Sequence, residues 1–153
     1  MNQHHHRSLP AFLRYHSLSV VTLCILGMWV TLYSLSDGNG HLGSFFGNSI
    51  ADWSGSFFII VGTKYFFERG SAESRKYRGH FENPILEFLR AHSLTLVLLA
   101  SGFFWLRLYL KSDPNSKWGQ VYGNLVSEWF QTIGLVWMTK SLVERGSKES
   151  NPS

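Results

Sequence analysis

Residues Leu18–Leu35 read LSVVTLCILGMWVTLYSL, eighteen consecutive positions without a charged side chain. At about 1.5 Å of helical rise per residue, such a run covers nearly the ~30 Å hydrocarbon thickness of a bilayer. A second run, Leu94–Leu110 (LTLVLLASGFFWLRLYL), is interrupted only by Arg107. Each strong run is followed by a weaker one of about twenty residues, Asn48–Phe67 and Asn124–Val143. The weaker runs contain Asp52 and Lys64, or Glu128 and Lys140. Their placement after short connectors predicts four transmembrane helices in an all-α membrane protein. The first run begins too late and continues too long for the apolar part of a cleavable leader, and it lacks a small-residue cleavage site. It is therefore read as a span.

The chain repeats itself. Offsetting it by 76 residues places Phe12–Leu18 (FLRYHSL) on Phe88–Leu94 (FLRAHSL), Gly47-Asn48 on Gly123-Asn124, and Asp52-Trp53 on Glu128-Trp129. Thr63-Lys64 then falls on Thr139-Lys140, and Glu68–Ser71 (ERGS) on Glu144–Ser147. Residues 12–74 and 88–150 share 26 identities over 63 gapless positions, far beyond coincidence. The expected architecture is therefore two parallel tandem repeats of a two-helix hairpin. Its parts are an N-terminal tail (1–11), a first repeat (12–74), a basic linker (75–87), a second repeat (88–150) and a C-terminal tail (151–153). Parallel repeats differ from the inverted repeats of many transporters and argue against a rocking bundle. Within the connectors, Arg69-Gly70 and Arg145-Gly146 read as helix ends, and Asn83-Pro84 as a capped helix start.

Composition fits this architecture. The 153 residues are 44% hydrophobic, 16% aromatic and only 16% charged, against roughly 25% charged in soluble domains. Such a chain is not disordered, and its single cysteine excludes a disulfide scaffold or a cysteine-rich metal centre. A mean hydropathy of -0.04 averages greasy helices with basic connectors. Of the fourteen Lys and Arg residues, eleven fall on the side shared by the termini and central linker, and Arg107, Lys111 and Lys117 on the other. That bias predicts cytoplasmic termini and a net charge (+4) directed at anionic lipid headgroups rather than nucleic acid. Trp29, Tyr33, Trp105, Tyr109 and Trp118 suit an aromatic belt at the outer interface.

The candidate site is a polar stripe. Asn48, Asp52, Gly55 and Thr63 recur at helical spacing, as do Asn124, Glu128, Gln131 and Thr139. A carboxylate within an apolar helix is expensive and normally faces a partner or a wet cavity. Arg107 is the expected ion-pair partner for Asp52 or Glu128, which makes the stripe structural. The competing reading lines a proton or cation path with the two carboxylates. His16 and His92, also duplicated, are candidate ligands for haem or chlorophyll, although interfacial histidines commonly just hydrogen-bond to headgroups or backbone. No cofactor is otherwise expected, and no metal site. The His4–His6 triplet reads as a solvated tail. No nucleophile triad, phosphate-binding glycine loop, HExxH or CxxC pattern is present, and Cys24 reads as a small apolar residue, so no enzymatic role is expected.

The FLRxHSLxL start, the Ser127–Gln131 sequence SEWFQ and the Thr139–Ser150 ending TxxLxxRGSxES together resemble a family of small bacterial multi-pass membrane proteins with no assigned activity. The likeness is best over Phe88–Leu94 and Asn124–Ser150. It implies a bacterial inner or internal membrane and adds no mechanism. The first repeat departs from it, with Ser54-Gly55 where the second has Phe130-Gln131. The expected role is an accessory or scaffolding subunit of a larger membrane assembly, or a homo-oligomer. The alternatives are a small channel or permease, and a haem- or chlorophyll-binding subunit.

Overall fold

A computed structural model describes residues 9–38 and 40–142 of the chain. Five helices follow one another: α1 (Leu9–Leu35), α2 (His41–Tyr65), α3 (Pro84–Ala91), α4 (Ser93–Lys111) and α5 (Lys117–Met138). Among the described residues only α1, over Phe12–Leu35, and α4, over Ser93–Lys111, are long and apolar enough to cross a membrane. The expectation of four transmembrane helices is thereby corrected. Asn48, Asp52 and interspersed serines and glycines dilute α2, and Gln120, Asn124, Glu128 and Gln131 dilute α5.

The short turns at Ser36–Gly40 and Ser112–Ser116 fold α1 against α2 and α4 against α5. The two hairpins meet through α2 and α5, whereas α1 and α4 make no comparable contact with each other. Contacts between α2 and α5 advance together along both chains. Gly47 lies against Val121, Asn48 bonds Asn124, and Phe58 meets Trp129 with ring centroids 5.5 Å apart. The two helices therefore run parallel. The halves also make corresponding close approaches: a Cβ on Gly47 would sit 3.2 Å from the Tyr33 ring, and one on Gly123 equally close to that of Tyr109.

Around this centre Ile50, Ala51, Leu94, Leu98, Val121, Leu125, Trp129 and Val136 form the buried core. Tyr33 belongs to it, at 1% exposed, and its hydroxyl donates to the Lys117 carbonyl. Trp29 and Trp105 are half-buried against the same core. Those three residues are thus packing groups and do not make the lipid-facing belt expected from the sequence.

Two boundaries differ from the sequence reading. α2 ends at Tyr65, several residues before Arg69-Gly70, because its backbone turns to serve the start of α4. Leu94 N–H donates to the Phe67 carbonyl at 2.9 Å, Phe67 N–H to Ser93 Oγ at 2.9 Å, and Arg69 N–H to the Ala91 carbonyl at 2.8 Å. Helix starts leave N–H groups without intrahelical acceptors, and the Phe67 carbonyl answers one of them. Gly70 instead takes a left-handed turn conformation (φ 88°) in the connector. Further along, Asn83 does cap a helix, accepting from Ile85 N–H at 2.9 Å with Pro84 in the first turn. That helix is the short α3, which stops before His92.

Candidate functional site

On the α2–α5 seam the structure brings together part of the predicted stripe. Asn124 Nδ2 donates to Asn48 Oδ1, pairing two positions 76 residues apart. One turn further along the two helices come Asp52, which is exposed, and Glu128, which is half-buried. Gly55 makes room for the second carboxylate, since a Cβ there would overlap the Glu128 side chain. A polar cavity of about 550 Å³ lies on one side of this pair, lined by Tyr33, Ser44, Asn48, Tyr109, Asn124 and Ser127 among others. A second, mostly apolar cavity of about 370 Å³ is lined by Gly55, Ile59, Ile60, Glu128, Gln131 and Leu135 among others.

Other members of the stripe are elsewhere. Thr63 Oγ1 donates back to the Ile59 carbonyl of its own helix, and Thr139 is buried against Ser71, with the hydroxyls 2.9 Å apart. Arg107 is exposed and makes no ion pair with Asp52 or Glu128 among the described residues. The expected partnership is corrected: α4 buries Leu94 and Leu98, and its rotation leaves Arg107 on an exposed face. Neither Asp52 nor Glu128 is in an ion pair among the described residues.

The densest polar cluster lies at the connector end of the bundle, where the sequence favoured a helix end over an anion site. Glu68 is 1% exposed and fixed from three directions. Lys140 Nζ lies 2.5 Å from Oε1, His92 Nδ1–H donates to the same oxygen at 2.6 Å, and Thr95 N–H donates to Oε2 at 3.3 Å. Thr95 is in the first turn of α4, so the carboxylate also answers an orphan helix donor at the positive end of the helix dipole. Burial raises the Glu68 pKa, but the bonds from Lys140, Thr95 and His92, together with the Lys140 charge, outweigh it and hold the carboxyl below its ordinary value. Next to it the connector is pinned by Glu87, which accepts from Tyr77 Oη at 2.8 Å, from Phe81 N–H at 3.1 Å and from Arg69.

The corresponding residues of the first half form a partial copy: Lys64 Nζ donates to His16 Nδ1 at 2.8 Å. Glu144, the counterpart of Glu68, lies outside the described residues, as do Arg145-Gly146 and the His4–His6 triplet. Recurrence of glutamate, histidine and lysine at one offset was the signal that could have revealed the cluster. The two histidines considered as ligands thus each spend Nδ1 on a side chain of the chain itself. No group of three or more metal-ligating side chains gathers among the described residues.

No protein-family model, no curated protein and no solved structure matches the chain.

Glu68→Gln removes the negative charge from Lys140 and His92 and is expected to cost about 3 kcal/mol, as for a broken buried ion pair. Because the folded-state pKa is depressed, the carboxylate's contribution is full above its ordinary value of 4.5 and lost as pH falls through the folded value. Thermal melts of wild type and variant in detergent should therefore differ by a constant gap near neutrality that closes below pH 4.5. A gap that persists unchanged in acid contradicts this account of Glu68.

Proposed function

We propose that the protein is a non-catalytic integral membrane protein that acts through its helix faces, as an accessory or scaffolding subunit of a larger membrane assembly or as a homo-oligomer. The observation that carries this reading is the distribution of apolar surface. α1 and α4 are the two helices apolar enough to cross a membrane, yet only 11% of the most apolar window of each is buried. Leu18, Val21, Leu23 and Met28 on α1, and Leu99, Phe103 and Phe104 on α4, are exposed, as are Phe130 and Trp137 on α5. Continuous apolar surface on this scale marks contact with lipid or with another protein. The eleven basic residues near the termini and linker favour a cytoplasmic location for the connector end, facing anionic headgroups. The motif resemblance favours a bacterial membrane.

Alkaline carbonate washing should leave the protein in the membrane pellet. After mild-detergent extraction it should run as a multimer or with a stoichiometric partner chain, identified by mass spectrometry. Release by carbonate overturns the membrane reading, and a monodisperse monomer overturns the assembly reading.

A second reading has its own support: Glu128 lines one cavity, a more polar one lies along the same seam, and neither Asp52 nor Glu128 is in an ion pair among the described residues. Such an arrangement suits a proton or cation passing along the α2–α5 seam, with one carboxylate protonating in transit. Proton and potassium flux into liposomes containing the pure protein tests it. Flux that Asp52→Asn and Glu128→Gln abolish supports the path, whereas a flux-free wild-type protein ends it.

A further inference from the structure

α1 and α4 both flank the α2–α5 centre without closing on each other, and a crevice of about 470 Å³ remains between them. Leu26 of α1 and Phe104 and Trp105 of α4 form its sides, and Phe58, Val61 and Trp129 line its floor. It extends along α2 from Ser54 to Phe66, twelve helical steps or about 18 Å. That is close to the ~15 Å depth of one bilayer leaflet, half of the ~30 Å hydrocarbon core. The crevice is therefore long and apolar, which suits an acyl chain better than a polar ligand.

Its connector end is basic. Lys64, in the last turn of α2, directs its ammonium to His16 and makes no ion pair among the described residues. Next to Phe66, the Phe67 ring lies beneath the Arg90 guanidinium, 4.8 Å from its centroid, and Arg90 likewise lacks an acidic partner there. Lys140, by contrast, is already committed to Glu68. Two cations without an acidic partner among the described residues thus lie close in sequence to, or in contact with, Phe66 and Phe67, where the crevice reaches the end of α2.

We propose that this crevice is a specific site for one anionic phospholipid, with an acyl chain between α1 and α4 and its phosphate held by Lys64 and Arg90. The inference rests on the membrane reading, which carbonate washing tests separately. A bound lipid would fill a gap that the chain does not close itself and would tie the two outer helices together at one end. The cations supply the preference for a negative headgroup, and the aromatic walls supply affinity common to any chain.

The purified full-length protein in mild detergent, exposed to equal amounts of phosphatidylglycerol and phosphatidylcholine with matched chains, tests this by native mass spectrometry. One phosphatidylglycerol per chain should be retained, with a preference of roughly tenfold or more, as two headgroup-facing cations imply. The double variant Lys64→Gln/Arg90→Gln, which alters only the charged end, should bring the ratio close to one while still binding lipid. Val61→Trp, which fills the floor, should lose both lipids with helical circular dichroism unchanged. Equal retention of the two lipids by the wild type, no retention of either, or a preference that survives the charge variant overturns the proposal.

Discussion

Asn48 and Asn124 meet carboxamide to carboxamide where α2 lies against α5, and around that contact the two halves of the chain are joined. The hairpins touch chiefly there, so the parallel packing of α2 on α5 determines where everything else can go. Gly47 and Gly123 admit the Tyr33 and Tyr109 rings, and Gly55 admits Glu128. A hydrogen bond of this kind contributes on the order of 1 kcal/mol. Its larger effect is on register: slipping either helix would part the two carboxamides and carry Gly47, Gly123 and Gly55 away from the side chains they admit.

Once the more polar helices occupy the centre, the two most apolar ones are left outside. A soluble bundle would bury α1 and α4 and expose α2 and α5, because burial of apolar surface drives its folding. Here the order is reversed, and this reversal gives the membrane reading its weight beyond the length of two apolar runs. At the connector end, Glu68 performs a second joining task. It draws the segment after α2, the start of α4 and the end of α5 to a single carboxylate, so the hairpins are held at both the middle and one end of the seam. The crevice between α1 and α4 follows from the same geometry, since helices that flank a common pair need not reach each other.

Much of this was legible in the sequence, for physical reasons. Apolar runs of bilayer length identified α1 and α4, and the 76-residue repeat identified Asn48 and Asn124 as equivalent positions. Helical spacing put them, with Asp52 and Glu128, on facing stripes. Three things were not legible. Hydrophobic blocks are counted by composition, and α2 and α5 read as spans only by analogy with their neighbours. Arg107 falls at a plausible depth for an ion pair, but helical rotation, which depth does not record, turns it outward. Glu68 lies in a polar stretch that looks solvated, and only the folded chain brings His92 and Lys140 to it from 24 and 72 residues away. The early end of α2 has the same origin, because the bonds that replace its last turn come from α4 and leave no local trace.

The placement of α2 against α5, with α1 and α4 outside, is tested most directly by disulfide trapping in a Cys24→Ala background, with cysteines at positions 48 and 124. Mild oxidation of the protein in membranes should close a bond within one chain, visible as an intramolecular shift on gel electrophoresis, whereas cysteines at the exposed positions 23 and 99 should not pair within a chain. Efficient pairing of 23 with 99, and none of 48 with 124, would contradict the arrangement and with it the membrane reading built on exposed outer helices.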